Sequence, residues 1–233
     1  MPAVDRPQTV SQLIQTGRDH EAAQRGVREA ASGRQSPTPA PDQGLERLMD
    51  PLTQLGQLGP VLGGVVAGIT PDQLDRKTPC ADYTVRGVLE HMIKGATAFA
   101  ATFRGEAAGA PDVSDPLGGF HPALGDLGRA MAAPGALERT VATPFGDLPG
   151  ETFARFVVLD GLVHGWDMAT ATGQPYEPSE ALVAAVEAFA RQNLDPLRDG
   201  QAFADAVEPA PDASPIERLT AYTGRRPLTE AAR

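Results

Sequence analysis

Apolar residues recur at helical spacing through most of the chain from residue 45 onward, and that periodicity carries the fold assignment. Leu45, Leu48, Leu52, Leu55, Leu58, Val61, Leu62 and Val65 line one face of a first helix running to Ile69. Gly56, Gly59, Pro60 and the Gly63-Gly64 pair weaken it. Thr70-Pro71-Asp72 supplies a cap and a helix start for a brief turn through Leu74. A tight loop from Thr78 to Tyr83 then leads to Thr84, whose hydroxyl suits the N-cap of a second long helix. That helix carries the stripe Val85, Val88, Leu89, Met92, Ile93, Ala96, Phe99, Ala100 and Phe103, and it stops at Gly105. Residues 106–120 read as a Gly/Pro/Asp-rich loop, 122–133 as a shorter helix, and 140–150 as a small hairpin or irregular turn. A third long helix spans about 151–172, with Gly173 placed to close it. A fourth spans about 179–194, and a final short helix covers 215–223. With no internal repeat and no alternating-strand series, the prediction is an all-α bundle of four principal helices with short additional helices.

Composition narrows the class without naming a chemistry. Residues 1–44 break the pattern: Val10, Leu13 and Ile14 begin a helical repeat, with a helix expected over about 9–31, but Ser36 to Gly44 alternates prolines in the manner of an extended linker. They are expected to form a weakly ordered, dispensable extension, with 45–233 as the folded domain. No apolar run approaches the ~20 residues that span a bilayer. The opening MPAVDRPQTVSQ lacks the basic and apolar segments of a secretory signal. Cys80, the only cysteine, excludes an internal disulfide and suits a reducing, cytoplasmic setting. A net charge of -10 disfavours nucleic acid and anionic membrane surfaces as partners. The expected partner is a small-molecule substrate, and the expected state a monomer or homodimer.

One face of the helix 151–172 holds residues that do not belong on an apolar stripe. Phe153, Phe156, Val157, Asp160, His164, Asp167 and Ala171 fall at steps of three and four. A carboxylate and an imidazole turned inward cost several kcal/mol unless they are paired or bound to an ion. Asp160 and His164 are spaced i, i+4, so their side chains can converge on one point, as helical metal ligands do. Of the four histidines, His20 lies in the extension, His121 in a loop beside Pro122, and His91 on the second helix at the edge of its apolar stripe. Antiparallel packing of the two helices could set His91 opposite the pair, giving two nitrogens, one carboxylate and open positions. Periodicity alone leaves a second reading open, in which His91 is a hydrogen-bonded core residue and Asp160 and His164 form a local pair.

Three segments extend the picture: Thr78-Pro79-Cys80-Ala81-Asp82-Tyr83-Thr84-Val85-Arg86 leading to His91; Asp160-Gly161-Leu162-Val163-His164-Gly165-Trp166-Asp167; and Pro215 to Leu228, with Thr223-Gly224-Arg225-Arg226-Pro227. In order and spacing they resemble the actinobacterial DinB-like metalloproteins related to the N-terminal domain of mycothiol-dependent maleylpyruvate isomerase, over about residues 45–228. The resemblance implies a DinB-like four-helix bundle with a divalent metal held by His91, Asp160 and His164. Zinc is the expected ion, with nickel and iron accepting the same donors. Asp160 stands where that family usually has Glu, one methylene longer. The resemblance further implies a metal-dependent transferase or isomerase using a thiol, mycothiol, on a small molecule. Because the isomerase's additional C-terminal domain has no counterpart here, maleylpyruvate is not the expected substrate. The alternatives are a hydrolase, cyclase or lyase of a small metabolite, with Asp167 or a metal-bound hydroxide as base, and a non-catalytic binding module. Asp167 is the candidate catalytic residue, either orienting a ligand from one turn past His164 or anchoring an arginine. Cys80, Tyr83 (where relatives often carry Trp) and Trp166 are expected to be packing residues.

Overall fold

The computed structural model describes residues 49–81, 83–143, 146–198, 203–226 and 228. The expected extension over 1–44, with its helix and His20, lies outside these residues. The fold is all-α with one two-stranded hairpin: α1 (Pro51–Ala67), a 3-10 turn (Pro71–Gln73), α2 (Val85–Arg104), α3 (Pro116–Met131), β1 (Thr140–Thr143), β2 (Gly146–Pro149), α4 (Gly150–Thr172), α5 (Glu180–Asn193), α6 (Asp195–Arg198) and α7 (Pro215–Tyr222). No helix among the described residues is long and apolar enough to cross a membrane.

Local chemistry sets the boundaries. Thr84 Oγ1 accepts from the Gly87 amide at 3.2 Å to open α2, and Gly105 closes it at φ 73°. Gly173 closes α4 at φ 71°, the left-handed conformation that glycine adopts without penalty. The hairpin pairs Thr140 with Pro149 and Thr143 with Gly146. Two boundaries differ from expectation: α1 begins at Pro51, capped by Asp50, and not at Leu45, and α3 begins at Pro116, inside the stretch read as a loop, so His121 and Pro122 are helical. Asp115 explains the second, since its carboxylate accepts from the Gly118 amide at 3.1 Å and Pro116 takes the first helical position.

The core has two adjoining parts. Leu58, Leu62, Val88, Leu89, Leu159, Leu162, Leu182 and Leu219 bring α1, α2, α4, α5 and α7 together. Phe99, Phe103, Leu127, Met131, Val141 and Phe153 join α2, α3, β1 and α4. In the second part Phe153 lies edge-on to Phe99, with ring centres 5.1 Å apart.

α1 and α4 approach closely because α4 presents glycines to α1. A Cβ at Gly161 would stand 3.0 Å from a Leu58 methyl, and one at Gly165 would stand 2.7 Å from a Leu62 methyl and overlap the Tyr176 hydroxyl. That hydroxyl is fixed by donating to the Leu162 carbonyl at 2.8 Å. Gly165→Ala is therefore expected to lower stability by about 1–2 kcal/mol, because overpacking outweighs the helix-propensity gain of about 1 kcal/mol. Gly56→Ala, mid-helix on α1 with nothing within 4 Å of the added carbon, is expected to raise it slightly. Thermal melts of the two variants check the contrast, and a stabilised Gly165→Ala would refute the close approach.

Candidate metal centre

α4 places Asp160 and His164 one turn apart on the same face, and α2 places His91 against them. The His91 and His164 rings meet edge-on with centres 4.6 Å apart. His91 Nε2 lies 3.4 Å from Asp160 Oδ1, and His164 Nε2 lies 3.6 Å from the same oxygen. Both separations exceed the usual N–H···O length of about 2.9–3.0 Å. They match instead the spacing of donors on a shared ion: tetrahedral ligands about 2.0–2.1 Å from zinc lie roughly 3.3–3.4 Å from one another. Two imidazoles and a carboxylate are also a donor set that suits zinc. The three side chains thus fit a divalent metal, and the shorter Asp reaches the cluster without a longer Glu.

The carboxylate behind His164 fixes its tautomer. His164 Nδ1 is 3.0 Å from Asp167 Oδ2, so Nδ1–H donates there and the Nε2 lone pair points toward Asp160. Asp167 is fully buried, and the same Oδ2 accepts from Arg225 Nη2 at 3.3 Å and Nε at 3.4 Å. Its other oxygen is buried with no hydrogen-bond partner. Behind His91, the Tyr83 hydroxyl lies 3.5 Å from Nδ1. Asp167 therefore orients His164 and anchors an arginine, the two roles expected as alternatives. It stands on the far side of the His164 ring from Asp160, buried between that ring and Arg225.

Among the described residues a second trio, Cys80, His164 and Asp167, also brings possible ligand atoms within 4.8 Å of one another. It shares His164 with the first. Here the Arg225 guanidinium already supplies the positive charge that Asp167 requires, and a divalent ion would sit against it. Among the described residues no arginine or lysine forms an ion pair with Asp160, so the outer trio, His91, Asp160 and His164, is the better ion site. Arg225 is the residue that sequence reading did not single out. Its signal was the Thr223-Gly224-Arg225 segment after α7, which says nothing of its partner 58 positions earlier.

The electrostatics suit ligation. Burial pushes the Asp160 carboxyl up, but His164 and His91 outweigh it and hold it at about 2. Burial is also the main cause pushing His164 below its ordinary range, with His91 and Arg225 adding and Asp160 and Asp167 opposing. At neutral pH the site offers a carboxylate and a neutral imidazole, the forms that bind metal. In the metal-free protein, unfolding returns His164 to its ordinary value of 6.5 and Asp160 to 3.8. The unfolded chain then binds more protons on the acid side, so stability falls as pH drops below about 6.5, and falls again between 3.8 and 2. Melts of chelator-treated protein between pH 7 and 5 should show a falling midpoint that flattens in His164→Gln. A midpoint that holds or rises would contradict this.

Comparison with known proteins gives two findings. The sequence profile described as the mycothiol maleylpyruvate isomerase N-terminal domain matches residues 55–143, a stretch that includes His91 and ends before α4. Two uncharacterized proteins of Mycobacterium tuberculosis, from strains CDC 1551 / Oshkosh and ATCC 25618 / H37Rv, are each 31% identical over 180 residues, 76% of this chain and 98% of their own. No solved structure matches the chain.

Proposed function

Because the chain belongs to the mycothiol maleylpyruvate isomerase N-terminal domain family, we propose that it is a metal-dependent enzyme, a thiol-dependent transferase or isomerase acting on a small molecule with mycothiol as the thiol. The observation that carries the reading is the 3.4 and 3.6 Å spacing of His91, Asp160 and His164, too long for good hydrogen bonds and suited to a shared ion. A bound divalent ion supplies Lewis acidity and lowers the pKa of a thiol or water beside it.

The chain's own residues supply the rest. His91 and His164 are nearly fully buried, with side-chain exposures of 4% and 3%, whereas Asp160 keeps 24%, so approach to the donors passes over Asp160. Asp167 holds His164 by its rear nitrogen, and Arg225 pairs with the same carboxylate oxygen and keeps it in place. On the other side, the Tyr83 hydroxyl lies 3.5 Å from His91 Nδ1. Three protein donors leave coordination positions for substrate, as in catalytic rather than structural sites.

The test is cobalt-substituted protein titrated with mycothiol. An intense near-ultraviolet thiolate-to-cobalt band that saturates with thiol is expected. Cobalt uptake without any such band would reject the thiol chemistry and favour hydrolysis or elimination at the same ion. Failure to take up cobalt would reject the metal reading.

A further inference from the structure

We propose that the protein carries a second small-molecule site, separate from the ion centre, that takes an organic ammonium with a compact apolar body. Between α4, the segment 207–213 and α7 lies a cavity of about 200 Å³. A dry cavity of about 150 Å³ already takes benzene, so this space admits a molecule of about six or seven heavy atoms. Trp166 and Thr170 line it from α4, Val207 and Glu208 from the segment, Glu217 from α7, and Arg225 from the loop after α7. The two glutamates are exposed and the other four side chains half-buried, so the cavity opens to solvent. His91, Asp160 and His164 are not part of its wall, and the site stands or falls independently of the metal reading.

Charge decides the class of ligand. The Arg225 guanidinium is already committed, 3.3 Å from Asp167 Oδ2 and 3.3 Å from the Thr223 carbonyl. The glutamates therefore set the sign of the cavity, and an anion would meet two like charges. Glu217 is fixed, since its Oε2 accepts from both the hydroxyl and the amide of Ser214 at 2.7 Å, and these bonds hold its carboxyl below the usual range. Glu208 has no ion pair or hydrogen bond among the described residues. The Trp166 indole is also unengaged: no cation or ring of a described residue packs on it, whereas the Tyr222 ring carries Arg191 and Arg198 at 4.7 Å. An indole beside free carboxylates is the pairing that holds an alkylammonium, and the aliphatic remainder of the wall covers its body. An exposed carboxylate is worth up to about fivefold in affinity, and an indole about two- to fivefold. Together they should favour a cation about tenfold over a neutral body of the same shape.

Cyclohexylammonium, cyclohexanol and cyclohexanecarboxylate share one body and differ in charge. Each is titrated into the full-length protein at constant ionic strength. Calorimetry gives the affinity, and tryptophan emission gives the location, because Trp166 is the chain's one tryptophan. The ammonium is expected to bind about tenfold tighter than the alcohol, with a saturable change in emission, and the carboxylate more weakly than the alcohol. Glu208→Gln, at an exposed position outside the helices, should cost the ammonium about fivefold and leave the alcohol unchanged. Glu208→Lys should reverse the order of ammonium and carboxylate. Ala213→Leu, at a half-buried wall position, should weaken ammonium and alcohol together by filling the space. Chelator-treated protein should give the same preference, which separates the cavity from amine coordination at an ion. Absence of binding, equal affinity for ammonium and alcohol, or heat without a change in Trp166 emission would overturn the inference. So would wild-type ammonium affinity in Glu208→Gln, or a preference that disappears with the metal.

Discussion

Asp160→Ala and His164→Ala are each expected to weaken divalent-metal binding by more than the ~10–100-fold that loss of an outer-shell partner costs, with the far-UV helical spectrum retained. The expectation follows from geometry. Asp160 Oδ1 is the common neighbour of both imidazoles, 3.4 Å from His91 and 3.6 Å from His164, so its removal takes away the one donor on which both distances converge. The fold should tolerate the change, because the apolar core around α4 rests on Phe153, Val158, Leu159 and Leu162, which these substitutions do not touch. Direct titration with zinc, followed by competition against a chromogenic chelator, reads the affinity. Wild-type affinity in either variant would remove these residues from the site.

Asp167→Ala should produce the largest loss of stability among single changes at the centre, about 3–5 kcal/mol, because it leaves the Arg225 guanidinium buried without its counter-ion. For a chain of this size that corresponds to a fall in melting temperature of roughly 6–20 °C. It should also weaken metal binding about 10–100-fold, because His164 loses the carboxylate that fixes its Nδ1 proton. The two effects can be separated. Adding Arg225→Met removes the stranded charge and should recover much of the stability, while the metal affinity stays low. A single Asp167→Ala variant that melts within a degree or two of wild type would show that the Arg225 pairing contributes little. Recovery of metal affinity in the double variant would show that Asp167 acts on the site through Arg225 and not through His164.

How much of this was legible in the sequence depends on the range of the interaction. Helices α1, α2, α4 and α5 follow from the 3.6-residue repeat and from local caps such as Thr84, Gly105 and Gly173, since capping acts within a turn or two. The i, i+4 spacing of Asp160 and His164 put them on one helical face, and only the packing of α2 on α4 could bring His91 to them. The start of α3 was missed because Pro, Gly and Asp read as loop, whereas Asp115 and Pro116 together form a strong helix start that a composition window averages away. The helix tolerates Pro122 in its interior for the same reason that its sequence disguised it: the glycines and prolines sit on a segment held by the cap and by packing on α2, not by propensity.

The inner polar cluster was the least legible part. Asp167 joins His164 three residues back and Arg225 in a loop 58 residues on, and no periodicity links a helix face to a loop after another helix. Tyr83 packs against the core, as its place in the turn before α2 predicts, and its hydroxyl also lies 3.5 Å from His91 Nδ1, a neighbour that pattern does not reveal.

The central claim, that two helices aim an imidazole and an acid–imidazole pair at one ion, is tested most directly by elemental analysis of freshly purified full-length protein beside its His164→Ala variant. About one equivalent of zinc, nickel or iron per wild-type chain, and close to none in the variant, is the expected result. A wild-type chain without stoichiometric metal that also fails to take up added zinc, or a variant that keeps the same content, would contradict it.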